Sequence, residues 1–156
     1  TLESPEQFCP KLENLLSDCG IALVFLPHLK GSFLHGATFI DGNRIVLGLT
    51  VRGRDADRFW FSLFHELAHI ILGHIRNADG TTDEDEVCAN EWARDKLIPA
   101  EAYNNFIDIQ AFSANTVTAF AKSIKIATGV VVGRLQNDGR IQYNMLNDLK
   151  EHYVML

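Results

Sequence analysis

Several features are scarce in this 156-residue chain, and each scarcity excludes a class of protein. Three cysteines, Cys9, Cys19 and Cys88, are too few and too scattered for a disulfide framework or a cysteine zinc site. No apolar run reaches the roughly 18–20 residues that span a bilayer. Fourteen basic against twenty acidic residues give a net charge of −6, which argues against a surface built for nucleic-acid phosphates. These features predict a soluble, cytoplasmic domain with no membrane partner.

The start of the sequence also lacks an initiator Met, because the first residue is Thr1. We therefore expect residues 1–156 to be one domain of a longer protein whose N-terminal domain is missing. Ten Phe, three Tyr and two Trp, within 47% hydrophobic residues, supply enough bulk for a single buried core.

Apolar spacing and turn residues predict both helices and strands. A first helix is expected between Ser4 and Gly20, a buried strand at 21–26 ended by Pro27, and a hairpin of strands at 36–40 and 44–50. Further helices are expected at 55–72, 84–97, 100–107, 113–124 and 128–136, while the tail from Ile141 stays undecided between strand and helix. The predicted fold class is α+β: a compact single domain in which a small mixed or antiparallel sheet packs on several helices.

The helix expected at 55–72 is apolar around most of its circumference but carries His65, Glu66 and His69. Residues four apart on an α-helix face the same way, so both imidazoles can converge on one ion, with Glu66 about 100° away and beside it. The pattern H-E-x-x-H thus predicts two metal ligands, His65 and His69, and a general base, Glu66. The alternative is two hydrogen-bonded core histidines, but unpartnered burial would cost several kcal/mol by order of magnitude, which favours the metal site.

Catalytic zinc takes a third protein ligand, and His74 is the nearest histidine. The three-histidine pattern H-E-x-x-H-x-x-G-x-x-H would need Gly and His where this chain has Leu72 and Ile75. We therefore expect His74 to lie at the helix end, where an imidazole suits the helix dipole, and not to bind the ion.

Glu86 is the better candidate for the third ligand. Residues 83–85 before it fit an exposed first turn of a helix, where acidic side chains favour the dipole. Glu86 instead shares a helical face with small and apolar residues that should point to the core, Ala89, Ala93 and Leu97. A carboxylate from this second helix would complete a two-His-one-Glu zinc site.

Two segments together resemble a known family. Residues 58–69 read R-F-W-F-S-L-F-H-E-L-A-H, and residues 86–99 read E-V-C-A-N-E-W-A-R-D-K-L-I-P. The pair is similar to the ImmA/IrrE metallopeptidases, in which H-E-x-x-H is followed by E-x-E-A-N-x-F-A-x-x-L-L-x-P. The resemblance extends over about residues 21–143. This chain departs from it at Cys88, the usual second Glu, which we expect to be a small buried residue, and at Trp92, the usual Phe.

The resemblance implies a zincin-like fold of the gluzincin type and a zinc ion, or another divalent metal, as cofactor. It assigns His65, His69 and Glu86 as metal ligands and Glu66 as the catalytic base. Members of the family commonly follow an Xre-type helix-turn-helix domain and act as transcriptional regulators, HigA-like antitoxins or proteases that cleave a repressor.

The function implied is a zinc-dependent endopeptidase that hydrolyses a peptide bond in a regulatory protein partner, such as a repressor or a toxin. DNA contact is expected only through the missing N-terminal domain, and the oligomeric state stays open. The alternative is a non-catalytic sensor, antitoxin or transcriptional-regulator module that keeps the fold, for which the acidic charge would suit a basic partner.

Two smaller questions concern the C-terminal half. Four basic side chains lie there: Lys122, Lys125, Arg134 and Arg140. We expect them to be ordinary surface residues on helices that pack against the core, and we regard nucleic-acid binding through them as the less favoured interpretation. An additional donor to the oxyanion would be expected in a peptidase. The candidates by residue type alone are Tyr143, His152 and Tyr153.

Overall fold

The computed structural model describes residues 2–26, 36–50, 55–77 and 80–153. Thr1, Pro27 and positions 78–79 lie outside these ranges. The elements in chain order are α1 (Pro5–Asp18), β1 (Ile21–Leu26), β2 (Gly36–Asp41), β3 (Arg44–Thr50), α2 (Ala56–Ile71), α3 (Asp83–Leu97), α4 (Ala100–Ile107), α5 (Ala114–Ser123) and α6 (Thr128–Asn137), with 3-10 turns at His74–Arg76 and Asn147–Leu149. These bounds agree with the predicted ones to within about two residues, and the α+β class is confirmed.

The sheet is mixed, with strand order β1-β3-β2. Strand β1 runs parallel to β3, and β2 runs antiparallel to β3 through the hairpin at Asp41–Arg44. The prediction that β1 is buried is wrong, because β1 lies at the edge of the described sheet. Only Ile21 in β1 is buried, and Val24 and Leu26 are 41% and 37% exposed. Val24 and Leu26 are two residues apart and so point to the same face of the sheet, which is not fully covered at this strand.

Helix α2 occupies the centre of the domain. It contacts α3, α6 and the strands β2 and β3. Its buried apolar side chains include Phe59, Trp60 and Leu63, and the ring of Phe8 from α1 packs against the first two. Neighbours on several sides are what an apolar surface around most of a helix predicts.

Helix α3 approaches α2 through small residues. Ala89 and Ala93 are both fully buried, at 0% exposure. The helix begins with a capping box, in which the backbone N–H of Asp85 donates to Thr82 Oγ1 and the backbone N–H of Thr82 donates to Asp85 Oδ2. The packing and the cap together fix the first turn of α3, which carries Glu86, against α2.

The C-terminal tail, which the sequence left undecided between strand and helix, forms neither a long helix nor a strand of the sheet in its described part. After the 3-10 turn at Asn147–Leu149 it runs along the start of α2 as a short extended segment. The backbone N–H of Ala56 donates to the Glu151 carbonyl at 2.9 Å, and Trp60 Nε1 donates to the Tyr153 hydroxyl at 2.8 Å. The tail therefore covers the N-terminal end of the central helix.

Within the described ranges, no single helix is long and apolar enough to cross a membrane. Helices α5 and α6 reach that length and hydropathy only when taken together, across a bend of 114°.

The ion pair between Lys150 and Asp57 should contribute to stability, because it is buried. Lys150 Nζ lies 2.8 Å from Asp57 Oδ2, and the two side chains are 12% and 9% exposed. Lys150→Met would leave the carboxylate buried without its cation, and we expect a loss of about 3 kcal/mol in the free energy of unfolding, measured with urea.

Lys11→Met is the matched control. Lys11 pairs with Glu3 at 2.7 Å, but the side chains are 61% and 47% exposed, so the same substitution should cost less than about 0.5 kcal/mol. Equal losses in the two variants would contradict the assignment of stability to burial of the Asp57 pair.

Candidate metal centre

Three side chains from two helices converge on one point. His65 and His69 come from consecutive turns of α2, and Glu86 comes from the first turn of α3. The two Nε2 atoms of the histidines are 3.0 Å apart. Glu86 Oε2 lies 3.2 Å from His65 Nε2, and Glu86 Oε1 lies 3.5 Å from His69 Nε2. The structure thus brings together the three residues proposed as ligands from the sequence, and they could hold a metal ion.

The spacing of the three donor atoms fits zinc. A tetrahedral zinc ion with bonds of about 2.0–2.1 Å separates its ligand atoms by about 3.3 Å. The two Nε2 atoms are 3.0 Å apart, and the nearest Glu86 oxygen lies 3.2 Å from His65 Nε2, while the other oxygen of the carboxylate lies 3.5 Å from His69 Nε2. Two imidazoles and a carboxylate are also a donor set that catalytic zinc uses.

The second nitrogen of His65 is occupied by a residue of α3. His65 Nδ1 lies 2.9 Å from Asn90 Oδ1. An amide oxygen only accepts hydrogen bonds, so in a neutral His65 this contact places the proton on Nδ1 and leaves a lone pair on Nε2, which faces His69 and Glu86. Asn90 was missed by sequence reasoning, although it lies four residues after Glu86 and therefore faces the same side of α3.

Glu86 also accepts a hydrogen bond from a residue that is not one of the convergent donors. Its side chain is 43% exposed, and Thr81 Oγ1 donates to Glu86 Oε1 at 2.8 Å. Thr81 lies just before α3, in a polar connection whose sequence carries no helical periodicity. This contact therefore had no signal in the sequence.

Glu66 lies on a different side of α2 and faces the sheet. It is 8% exposed, and Thr38 Oγ1 of β2 donates to its Oε2 at 2.6 Å. Burial raises the pKa of Glu66, against the lowering effects of the Thr38 hydrogen bond and of His65. A carboxylate with a raised pKa can accept a proton and return it near neutral pH.

Gly36 provides the space that Glu66 occupies. A Cβ atom at position 36 would lie 2.7 Å from both Cγ and Oε1 of Glu66. A larger residue would force the carboxylate to move, so glycine allows β2 to approach α2 closely at this point.

His69 is the more enclosed of the two histidines. It is 5% exposed, and burial, followed by the neighbouring His65, lowers its pKa, while Glu86 acts in the opposite direction. The neutral imidazole that these effects favour is the form that binds metal.

The structure places His74 outside the group of convergent donors, at the end of α2 in the 3-10 turn His74–Arg76. His74 Nδ1 lies 3.0 Å from His69 Nδ1, and His74 Nε2 lies 3.3 Å from Asp85 Oδ1. The hydrogen bond from the backbone of Thr82 is the largest of the effects that lower the pKa of Asp85. Sequence reasoning missed both contacts of His74.

The family model described as the IrrE N-terminal-like domain, of the peptidase family M78, matches residues 20–130. The chain belongs to this family. The match contains α2, α3 and all the convergent donors, and it confirms the resemblance found in the two motif segments. It ends at residue 130, before the last part of the region over which the sequence resembles the family. No curated protein matches the chain significantly.

Cys88 of this IrrE-like domain corrects one expectation. It was expected to be small and buried, but it is exposed. Position 88 lies two residues after Glu86, about 200° around α3, and so points away from the face that packs on α2. It is not among the described groups that could hold a metal.

Of the four basic residues noted in the C-terminal half, Arg134 is held within the fold, and its side chain is only 11% exposed. The guanidinium of Arg134 donates to Asp138 Oδ2 at 2.7 Å and to the Arg94 carbonyl at 3.1 Å, and it lies 4.2 Å from the ring centre of Tyr103. Arg134 therefore joins α3, α4 and α6, and the ordinary surface position that was expected for it is wrong. Lys122, Lys125 and Arg140 are exposed.

The structure brings none of the three oxyanion candidates into a described contact with the convergent donors. Tyr143 is 70% exposed. His152 Nδ1 pairs with Asp55 Oδ1 at 3.0 Å, and Tyr153 is buried against Trp60, so both lie at the opposite end of α2 from His69.

Metal content tests the site directly. We expect the purified IrrE-like domain to bind about one zinc ion per chain, and His69→Ala and Glu86→Ala to lose it, because each removes one of three donors. His152→Ala is the control, since His152 also pairs with a carboxylate but lies away from the site. Elemental analysis after dialysis measures the content, and undiminished stoichiometric zinc in both site variants would contradict the assignment.

Proposed function

We propose that the chain is a zinc-dependent endopeptidase that hydrolyses a peptide bond in a regulatory protein partner, such as a repressor or a toxin. In this proposal His65, His69 and Glu86 hold the ion, and Glu66 is the general base. The observation that carries it is the convergence of two imidazole nitrogens and the Glu86 carboxylate, with contacts of 3.0–3.5 Å, and a second, buried carboxylate beside them. Membership of a metallopeptidase family supports it.

The protein groups have separate tasks in this mechanism. Zinc held by three protein ligands would activate a water molecule and polarise the oxygen of the peptide carbonyl. Glu66 takes the proton of the attacking water and returns it to the leaving amine. Thr38 holds one oxygen of Glu66, and within the described ranges no hydrogen bond occupies the other oxygen, Oε1, which serves for proton transfer in this proposal.

The position of Glu66 also supports the endopeptidase interpretation over that of a non-catalytic regulatory module. It is not one of the three donors that could hold the ion, and its burial raises its pKa, which is unfavourable for the ionised form. A general base requires a carboxylate at this position, whereas a fold kept only for binding a partner does not need an ionisable group there.

Glu66→Gln tests the proposed role of the base. The variant should keep its zinc but lose activity by about 100-fold or more, because the amide cannot accept the proton. The substrate probe is a library of peptides derived from a whole proteome, with new termini counted by mass spectrometry after digestion with zinc-loaded protein.

The control variant is Glu84→Gln, the same change at an exposed position of α3, which should leave cleavage unchanged. Equal numbers of new termini from the wild type and Glu66→Gln would contradict the proposed function. Tight binding of a partner protein without any cleavage would support the non-catalytic module instead.

Thr38→Val tests whether the contact with β2 sets the base. The substitution keeps the side-chain shape but removes the hydroxyl that donates to Glu66 at 2.6 Å. A hydrogen bond to a charged group contributes about 1.5–3 kcal/mol, so we expect kcat to fall about tenfold or more with zinc content unchanged. An unchanged kcat would show that Thr38 does not position the carboxylate.

A further inference from the structure

A chain of three side chains leads away from the candidate metal centre into the turn after α2. His69 Nδ1 lies 3.0 Å from His74 Nδ1, and His74 Nε2 lies 3.3 Å from Asp85 Oδ1. The His74 and Asp85 side chains are only 11% and 19% exposed. The far oxygen of Asp85 accepts from the backbone of Thr82 at 3.0 Å and from Asn77 Nδ2 at 3.4 Å. Every polar atom along this chain therefore has a partner.

The chemistry of these groups sets the direction of the hydrogen bonds. A carboxylate only accepts, so His74 Nε2 carries a proton and donates it to Asp85. A neutral imidazole has one N–H, which makes His74 Nδ1 an acceptor. The proton between the two rings then belongs to His69 Nδ1. The Nε2 of His69 is left with a lone pair that faces His65 and Glu86.

The opposite assignment is incompatible with metal binding. If His74 carried its proton on Nδ1, it would donate to His69 Nδ1. The proton of His69 would then sit on Nε2, where it would block the ion. Only one direction of the chain leaves the ligand atom free.

We propose that His74 and Asp85 are positioning residues of the metal centre, which hold His69 in the tautomer and ring orientation that binds the ion. This inference rests on the metal site of the proposed function. Partners of this kind on the second nitrogen of a ligating histidine fix its tautomer and raise its basicity. Asn90 makes the corresponding contact with His65.

The turn after α2 brings the side chain of His74 back next to that of His69. A continuing helix would place residue 74 five positions, or about 500°, around the axis from residue 69, which is not on the same face. Gly73 has φ of +82°, a conformation that favours glycine, and it ends α2 just before His74. The first turn of α3 lies on the other side of His74 and has two roles. Its Asp85 accepts the hydrogen bond from His74, and the next residue, Glu86, is one of the convergent donors.

The test is zinc affinity, measured by competition with a chromophoric chelator. His74→Phe keeps a planar ring but has no acceptor, and we expect zinc affinity to fall 10–100-fold. His74→Gln should restore affinity to within about threefold of the wild type, because an amide can accept from His69 and donate to Asp85 as neutral histidine does. His152→Phe, at a histidine away from the site, is the control and should leave affinity unchanged.

Asp85→Asn tests the direction of the chain. The amide oxygen can keep the contact with the Thr82 backbone, which turns the NH₂ group towards His74 Nε2 and reverses the hydrogen bonds. We expect affinity to fall at least tenfold, whereas Asp83→Asn, the same change two residues earlier, should have no effect. In the His74→Phe background, Asp85→Asn should cause no further loss, since the chain is already broken.

Three results would overturn the inference: wild-type affinity in His74→Phe, no rescue by His74→Gln, or additive losses in the double variant. A merely structural role for His74 would give the second or the third. Zinc affinity is measured without turnover, so this test is separate from that of the proposed function. If the wild type binds zinc but cleaves nothing, the endopeptidase proposal fails, while the affinities of the variants still decide the positioning role. If the wild type binds no zinc, both fail.

Discussion

The close packing of α3 against α2 is the contact on which the candidate site depends. Ala89 and Ala93 are fully buried between the helices, and no longer side chain stands at these two positions to hold them apart. The first turn of α3 is thereby brought within about 3–4 Å of the histidines of α2, as the distances from Glu86 show. A larger residue at 89, three positions after Glu86, would displace the third donor before it disturbed either histidine.

The two neighbours of α2 explain why adjacent residues have different roles. Successive side chains on a helix point about 100° apart, so His65 faces α3 while Glu66 faces β2. Helix α3 supplies Glu86 to the donor group and Asn90 to His65, whereas β2 supplies Thr38 to Glu66. A single helix between a helix and a sheet therefore separates a group of metal donors from a candidate base.

Sequence patterns predicted what depends on local geometry. The helical spacing of His65 and His69, and the face that Glu86 shares with buried alanines, depend on turns of a single helix, and the structure shows both. Patterns could not predict Thr38 or His74, because these contacts depend on how separate elements meet in space. The predictions that β1 and Cys88 are buried were wrong for a related reason. Apolar character and small size do not reveal which side of a strand or helix has a neighbour.

In His65 and His69, the hydrogen bond at Nδ1 and metal binding at Nε2 depend on each other. In the tautomers proposed above, Asn90 and the chain through His74 leave His65 and His69 with unprotonated Nε2 atoms 3.0 Å apart, next to the Glu86 carboxylate. Acceptors at such distances repel one another unless a metal ion or a proton lies between them. The partners at Nδ1 therefore prepare a site that is electrostatically unfavourable when empty, and this is why binding of the ion would add directly to the stability of the fold.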